Sequence, residues 1–125
     1  MSTPERWMDQ ASYDIDTAKA MLDTKRLPYV LFMCQQAIEK ALKALIIKKT
    51  NKLAPRIHNL GKLAESLDID FSKEQLRFMM EVSTYYVRTR YPEELVLLGK
   101  ETSPEMVNLV YLDSKEMVQW LSSKV

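Results

Sequence analysis

The sequence predicts an all-α fold, an up-and-down bundle of four long helices plus a short extra helix, and three observations point to it. Two glycines in 125 residues leave too few positive-φ turns for sandwiches, barrels or glycine-rich phosphate loops. Apolar residues recur at intervals of three and four along most of the chain, the period of a helix. Helix starts are legible at Thr3-Pro4, Ser72 to Gln75 and Ser103-Pro104, each a hydroxyl residue followed by a first-turn proline or a reciprocal Gln. An apolar fraction of 46% and a charged fraction of 28% belong to a globular chain, and its length fits a single domain, residues 1–125.

The first helix opens on the Thr3 hydroxyl and carries Trp7, Ala11, Ile15 (or Asp14 beside it), Ala18 and Leu22 on one face, with Asp9, Asp16 and Asp23 opposite. Lys25-Arg26 closes it. The second helix, about residues 28–49, bears three adjoining stripes. Ile38, Leu42 and Leu45 are large and apolar, while Ala37, Ala41 and Ala44 are small enough to let another backbone approach. Gln36, Lys40 and Lys43 form a polar seam at the margin of the buried arc. Such a helix belongs at the centre of a bundle, with Cys34 as a buried, inert thiol.

Residues 50–56 read as a loop, and Leu60, Leu63, Ala64 and Leu67 give a short third helix. The Ser72–Gln75 box opens a fourth helix carrying Leu76, Met79, Met80, Val82 or Ser83, and Tyr86, which Tyr91-Pro92 stops. Residues 92–102 are expected to be a connection. A fifth helix follows Ser103-Pro104 with Val107, Val110, Tyr111, Met117 and Leu121 inward.

Several chemistries are unsupported. No apolar run is long enough to span a membrane, and the N-terminal residues lack a secretory pattern; with a single cysteine, a cytoplasmic protein is expected. One Cys and one His cannot build a Cys/His zinc site, so no metal and no cofactor are expected. No paired aspartates, H-E-x-x-H, G-x-S-x-G or Walker sequence occurs.

Charge is uneven although the net is only +1. Residues 36–62 hold seven bases against the single acid Glu39, a local positive field suited to a phosphate or simply to solvent. His58 is the only histidine, the residue type best suited to acid–base work near neutral pH; it serves either as a loop-to-helix cap or as an acid–base group. A second cluster, Tyr85 to Pro92, sets Arg88 and Arg90 among three tyrosines. Those arginines either hold phosphate while a tyrosine stacks a base, or pair with Glu93 and Glu94 while the tyrosines plug the bundle end.

The run Gln35-Gln36-Ala37-Ile38-Glu39-Lys40-Ala41-Leu42-Lys43-Ala44-Leu45 closely resembles the second-helix signature of HEPN domains. The tryptophan-bearing first helix with Ala11-Ser12-Tyr13-Asp14, together with His58-Asn59-Leu60 and Arg90-Tyr91-Pro92, resembles the family's other landmarks. The resemblance implies a bundle of four or five helices, usually a homodimer, often encoded beside a small nucleotidyltransferase and frequently part of a toxin–antitoxin pair. That arrangement echoes the helical domain of aminoglycoside nucleotidyltransferases.

One departure bears on activity. Catalytic relatives resemble one another in an arginine followed, after four to six residues, by histidine, and no such pair exists here. In the toxin branch a tyrosine two residues past that histidine is nucleotidylated; Tyr91 is the counterpart, with Thr89 and Thr84 in the His and Arg positions. The resulting expectation is a non-catalytic homodimer that binds a nucleotide through Gln36, Lys40, Lys43, His58, Arg88, Arg90 and Tyr91. The alternative is a metal-independent ribonuclease acting on RNA through His58 with Arg56, Arg88 or Arg90 across a dimer.

Overall fold

The computed structural model describes residues 3–125, and among these every regular element is helical. The helices are α1 (Pro4–Asp23), α2 (Leu27–Thr50), α3 (Leu60–Glu65), α4 (Lys73–Ser83), α5 (Tyr85–Arg88), α6 (Pro92–Glu101) and α7 (Pro104–Ser122). The three starts legible in sequence are made as expected. Thr3, Ser72 and Ser103 each accept from the backbone N–H three residues on, and Ser72 with Gln75 forms the full capping box.

The α1–α2 hairpin is closed by a Schellman motif. Arg26 N–H donates to the Met21 carbonyl at 2.8 Å and Lys25 N–H to that of Leu22 at 3.0 Å. Lys25 takes the left-handed position at φ 60° and Asn51 takes the same role after α2 at φ 54°. Neither glycine is used for this, which is how a chain so poor in glycine still turns its helices.

α2 packs against every other helix, most extensively α1, then α7. Its residues from Ala41 to Ile47 are buried all round, consistent with a helix enclosed on every side. Ala37, Ala41 and Ala44 are fully buried, as are Ile38 and Leu42. Cys34 is also fully buried, and burial pushes its thiol up to about 12.

Four expectations need correction. Residues 92–101 are a helix rather than a connection: Pro92 stands in its first turn with Glu93 and Glu94, and Lys100 lies in its last. The fourth helix is interrupted at Thr84, where α4 gives way to the single turn of α5. The core face of that stretch runs through Met79, Val82 and Tyr85, so Tyr85 is buried in place of Tyr86, and Leu76 and Met80 face outward. Lys43 is only 5% exposed, inside the buried arc rather than at its margin.

A lysine in the left-handed region carries a Cβ penalty that glycine avoids. Lys25→Gly is expected to raise stability by about 0.5–1 kcal/mol in chemical denaturation; a loss instead would show that the Lys25 side chain compensates for its backbone.

Candidate ligand-binding site

The polar heart of the molecule is a row along α2: Gln35, Glu39 and Lys43, one turn apart and each at most 5% exposed. Gln35 Nε2 donates to Glu39 Oε1 at 3.0 Å, and Lys43 Nζ to Glu39 Oε2 at 3.0 Å. Gln36 Nε2 in turn donates to Gln35 Oε1 at 2.8 Å. The loop after α2 doubles back along this row. Gln35 Nε2 reaches the His58 carbonyl at 3.2 Å, and His58 Nδ1 lies 3.0 and 3.1 Å from the two Glu39 oxygens. A buried carboxylate is tolerated because its lone pairs are all engaged, two of its partners being cationic or able to become so.

His58 then links the row to the tyrosine–arginine stretch. Its ring stacks on Tyr86 with centroids 4.2 Å apart and planes 12° from parallel. The Arg90 guanidinium carbon lies 4.3 Å from the same Tyr86 centroid. Two groups so close to one ring centre take opposite faces of it, so imidazole, phenol and guanidinium make a three-layer stack. Its outer layers are accessible: His58 and Arg90 are both exposed, the His58 side chain 44% so.

Of the seven residues expected to line one site, the fold gathers Gln36, Lys43, His58 and Arg90 around Glu39 and Tyr86. The others go elsewhere. Lys40 Nζ is 2.7 Å from Asp14 Oδ2 and bridges α2 to α1. Arg88 lies 2.8 Å from Glu101 and 3.4 Å from Glu94, clamping α5 onto α6. Tyr91 precedes α6 and is 58% exposed. Glu39, Gln35 and Tyr86 are the members that sequence reasoning did not put in the site; one signal was present, since Gln35, Glu39 and Lys43 recur every four residues.

Two concavities open on other faces. A cleft of about 810 Å³ runs between α4 and α7, walled by Glu74, Phe78, Asp113, Glu116 and Trp120. A smaller one of about 230 Å³ lies between Trp7 of α1, Lys43 and Ile47 of α2, and the loop segment 53–56. Among the described residues no three His, Cys, Asp or Glu side chains are placed to hold a metal ion. No described helix is long and apolar enough to cross a membrane.

With this architecture and signature in place, the family model for the HEPN domain matches residues 4–124. The chain belongs to the HEPN family. Its fold is similar to that of TT1696 from Thermus thermophilus, with a TM-score of 0.86 and 20% identity over 100% of both chains. It is also similar to ST0689, an archaeal HEPN homologue, with a TM-score of 0.78 and 19% identity over 99% of this chain and 98% of that one. No curated protein matches the sequence. In this HEPN protein the signature residues Gln35, Glu39 and Lys43 thus form the buried row that receives His58.

Removing one partner of a buried ion pair strands the other, at a cost of about 3–5 kcal/mol, whereas removing both is far cheaper. Glu39→Ala is expected to destabilise by that amount, and Glu39→Ala with Lys43→Met to recover most of it, as read from denaturant midpoints. Equal losses in the single and double variants would mean that the pair is not what holds the row together.

Proposed function

We propose that this HEPN protein is a homodimeric helical module that binds a nucleotide or another phosphate-bearing ligand and partners a separately encoded small nucleotidyltransferase. The pair would be toxin–antitoxin-like, act in the cytoplasm, and leave catalysis to the partner. The observation that carries the binding part is the His58–Tyr86–Arg90 stack. It offers an exposed guanidinium with no carboxylate within ion-pair distance among the described residues, beside an aromatic edge. Guanidinium suits phosphate and stacked rings suit a base. Support for self-association comes from the adjoining apolar exposure of Val87, Tyr91, Val96 and Leu97, each about half exposed or more. The nucleotidyltransferase partner rests on the family resemblance.

By calorimetry, ATP is expected to bind with an affinity that falls as salt rises. Arg90→Ala is expected to weaken it about tenfold, while Lys40→Ala, whose ammonium is engaged by Asp14, shifts it less than about twofold. Light scattering should return about twice the 14.6 kDa chain mass. Absence of ATP binding at millimolar concentration, or a monomer, removes the corresponding half of the reading.

The contact between Glu39 and His58 favours a second reading, a metal-independent ribonuclease. With Nδ1 held by a buried carboxylate, Nε2 is the nitrogen left for proton transfer, and Arg90 on the far face of Tyr86 is the nearby cation for a phosphate. Cleavage of RNA in EDTA that His58→Ala abolishes decides for this reading; intact RNA decides for the first.

A further inference from the structure

The larger concavity, between α4 and α7, joins an apolar floor to a wall of one charge sign. Both helices pack on α2 but not closely on one another, which leaves the gap between them open. Phe78 on α4 and Met117 and Trp120 on α7 make the floor, and Phe71 braces the Trp120 indole edge-on at a centroid distance of 5.7 Å. Three exposed carboxylates, Glu74, Asp113 and Glu116, stand on the walls. None of them has a base within ion-pair distance among the described residues. By contrast, Asp14, Asp68 and Glu101 are each engaged by a base from another element.

No base offsets these carboxylates from within the cleft: Lys73, Arg77 and Lys115 lie on the same two helices and do not line it. The other polar side chains there, Gln75, Gln119 and Ser123, are neutral, and Gln75 Oε1 is taken by the capping box. Backbone carbonyls of the lining residues are used along the helices, those of Gln119 and Trp120 by Ser123 N–H, so the side chains set the chemistry. At the edge, Lys124 Nζ lies 4.4 Å from the Trp120 ring centroid, so that indole already takes an ammonium from its own chain.

The spacing states what would fit. Glu74 precedes Phe78, Asp113 precedes Met117 and Glu116 precedes Trp120, each by one helical turn, so a carboxylate stands beside an apolar side chain three times along the groove. The complement is a helix whose apolar residues recur at three and four with Lys or Arg beside them. An acidic helix would meet like charges, and a purely apolar one would desolvate the carboxylates without pairing them. A volume of about 810 Å³ has room for several side chains. We propose that this cleft is the docking surface for a basic amphipathic helix of a partner protein, with Phe78, Met117 and Trp120 receiving its apolar face and Glu74, Asp113 and Glu116 its flanking cations. His58, Tyr86 and Arg90 line no part of it, so this surface and the nucleotide seat stand or fall separately.

The test titrates three synthetic peptides of about four helical turns into the full chain at constant ionic strength: an amphipathic leucine–lysine helix, the same pattern with glutamate for lysine, and the same charge with serine for leucine. The Trp120 indole N–H, assigned by its loss in Trp120→Phe, is followed in proton–nitrogen correlation spectra. A saturable shift is expected with the leucine–lysine peptide at about 100 μM or below. Asp113→Lys with Glu116→Lys is expected to weaken it about tenfold or more, and Asp9→Lys with Asp16→Lys on the exposed side of α1, which changes net charge equally, less than about twofold. All four positions are exposed, so folding is not at stake in either variant. No saturable shift, an equal response to the serine–lysine or leucine–glutamate peptide, a response that survives the cleft variant, or equal weakening by the α1 variant overturns the proposal. A fall in the chain's own mass by light scattering in the cleft variant alone assigns the face to a second copy and also overturns it.

Discussion

One buried carboxylate organises this bundle. Glu39 takes a hydrogen bond from Gln35 one turn before it, an ion pair from Lys43 one turn after it, and the imidazole of His58 from a loop. Burying such a charge is unfavourable unless its lone pairs are used, so the carboxylate dictates where the loop after α2 must return. Gln35 reinforces that return through the His58 carbonyl. From there Asn59 caps α3 through Lys62 N–H, and Leu60 N–H donates to Ser83 Oγ at 3.0 Å, which ties α3 to the end of α4. A contact inside one helix thus propagates to the position of the next two.

The same carboxylate gives the two faces of the region different chemistry. His58 holds one side and passes the interaction to Tyr86 and Arg90 by stacking. Lys43 holds the other and lies 5.9 Å from the Trp7 ring centroid, at the outer limit of a cation–π contact. Neither face is neutral by accident. The Glu39–Lys43 pair cancels within the core, which leaves Arg90 and Arg56 as exposed cations of the region with no carboxylate within ion-pair distance among the described residues.

The fold was largely legible because its signals are local. Hydroxyl caps at Thr3, Ser72 and Ser103 and the alanine stripe of α2 each determine structure within a turn or two. Helix α6 was hidden by a residue with two meanings. Pro92 ends a helix before it and begins one after it, and only the acids at 93 and 94 with Lys100 reveal the second role. Tyr85 displaced Tyr86 from the core because Thr84 breaks the helix and shifts the phase, something periodicity extrapolated from Leu76 does not contain. At the site, reading Gln36, Lys40 and Lys43 as one seam captured the polar edge of α2 and missed the neighbouring row. Whether Glu39 points inward depends on a loop partner, His58, nineteen residues away, and helical spacing alone carries no information about that.

The basic run from residue 36 to 62 shows why charge counted along a sequence overstates a binding field. Lys40 is spent on Asp14 and Lys43 on Glu39. Lys49 lies 3.3 Å from Asp68 and donates to the Ser66 carbonyl, and Lys48 donates to the carbonyl of Lys124. Lys40, Lys48 and Lys49 fasten α2 to its neighbours and Lys43 pairs within the helix, internal duties that leave little field beyond the surface. Arg88 is spent in the same way on α6. What reaches solvent near the site is narrower: Arg56 and His58, two residues apart on one loop, and Arg90 across the Tyr86 ring from His58. A phosphate-bearing ligand seated as proposed would meet donors from a loop that stays docked through Glu39, and its affinity would then be coupled to the stability of the buried carboxylate.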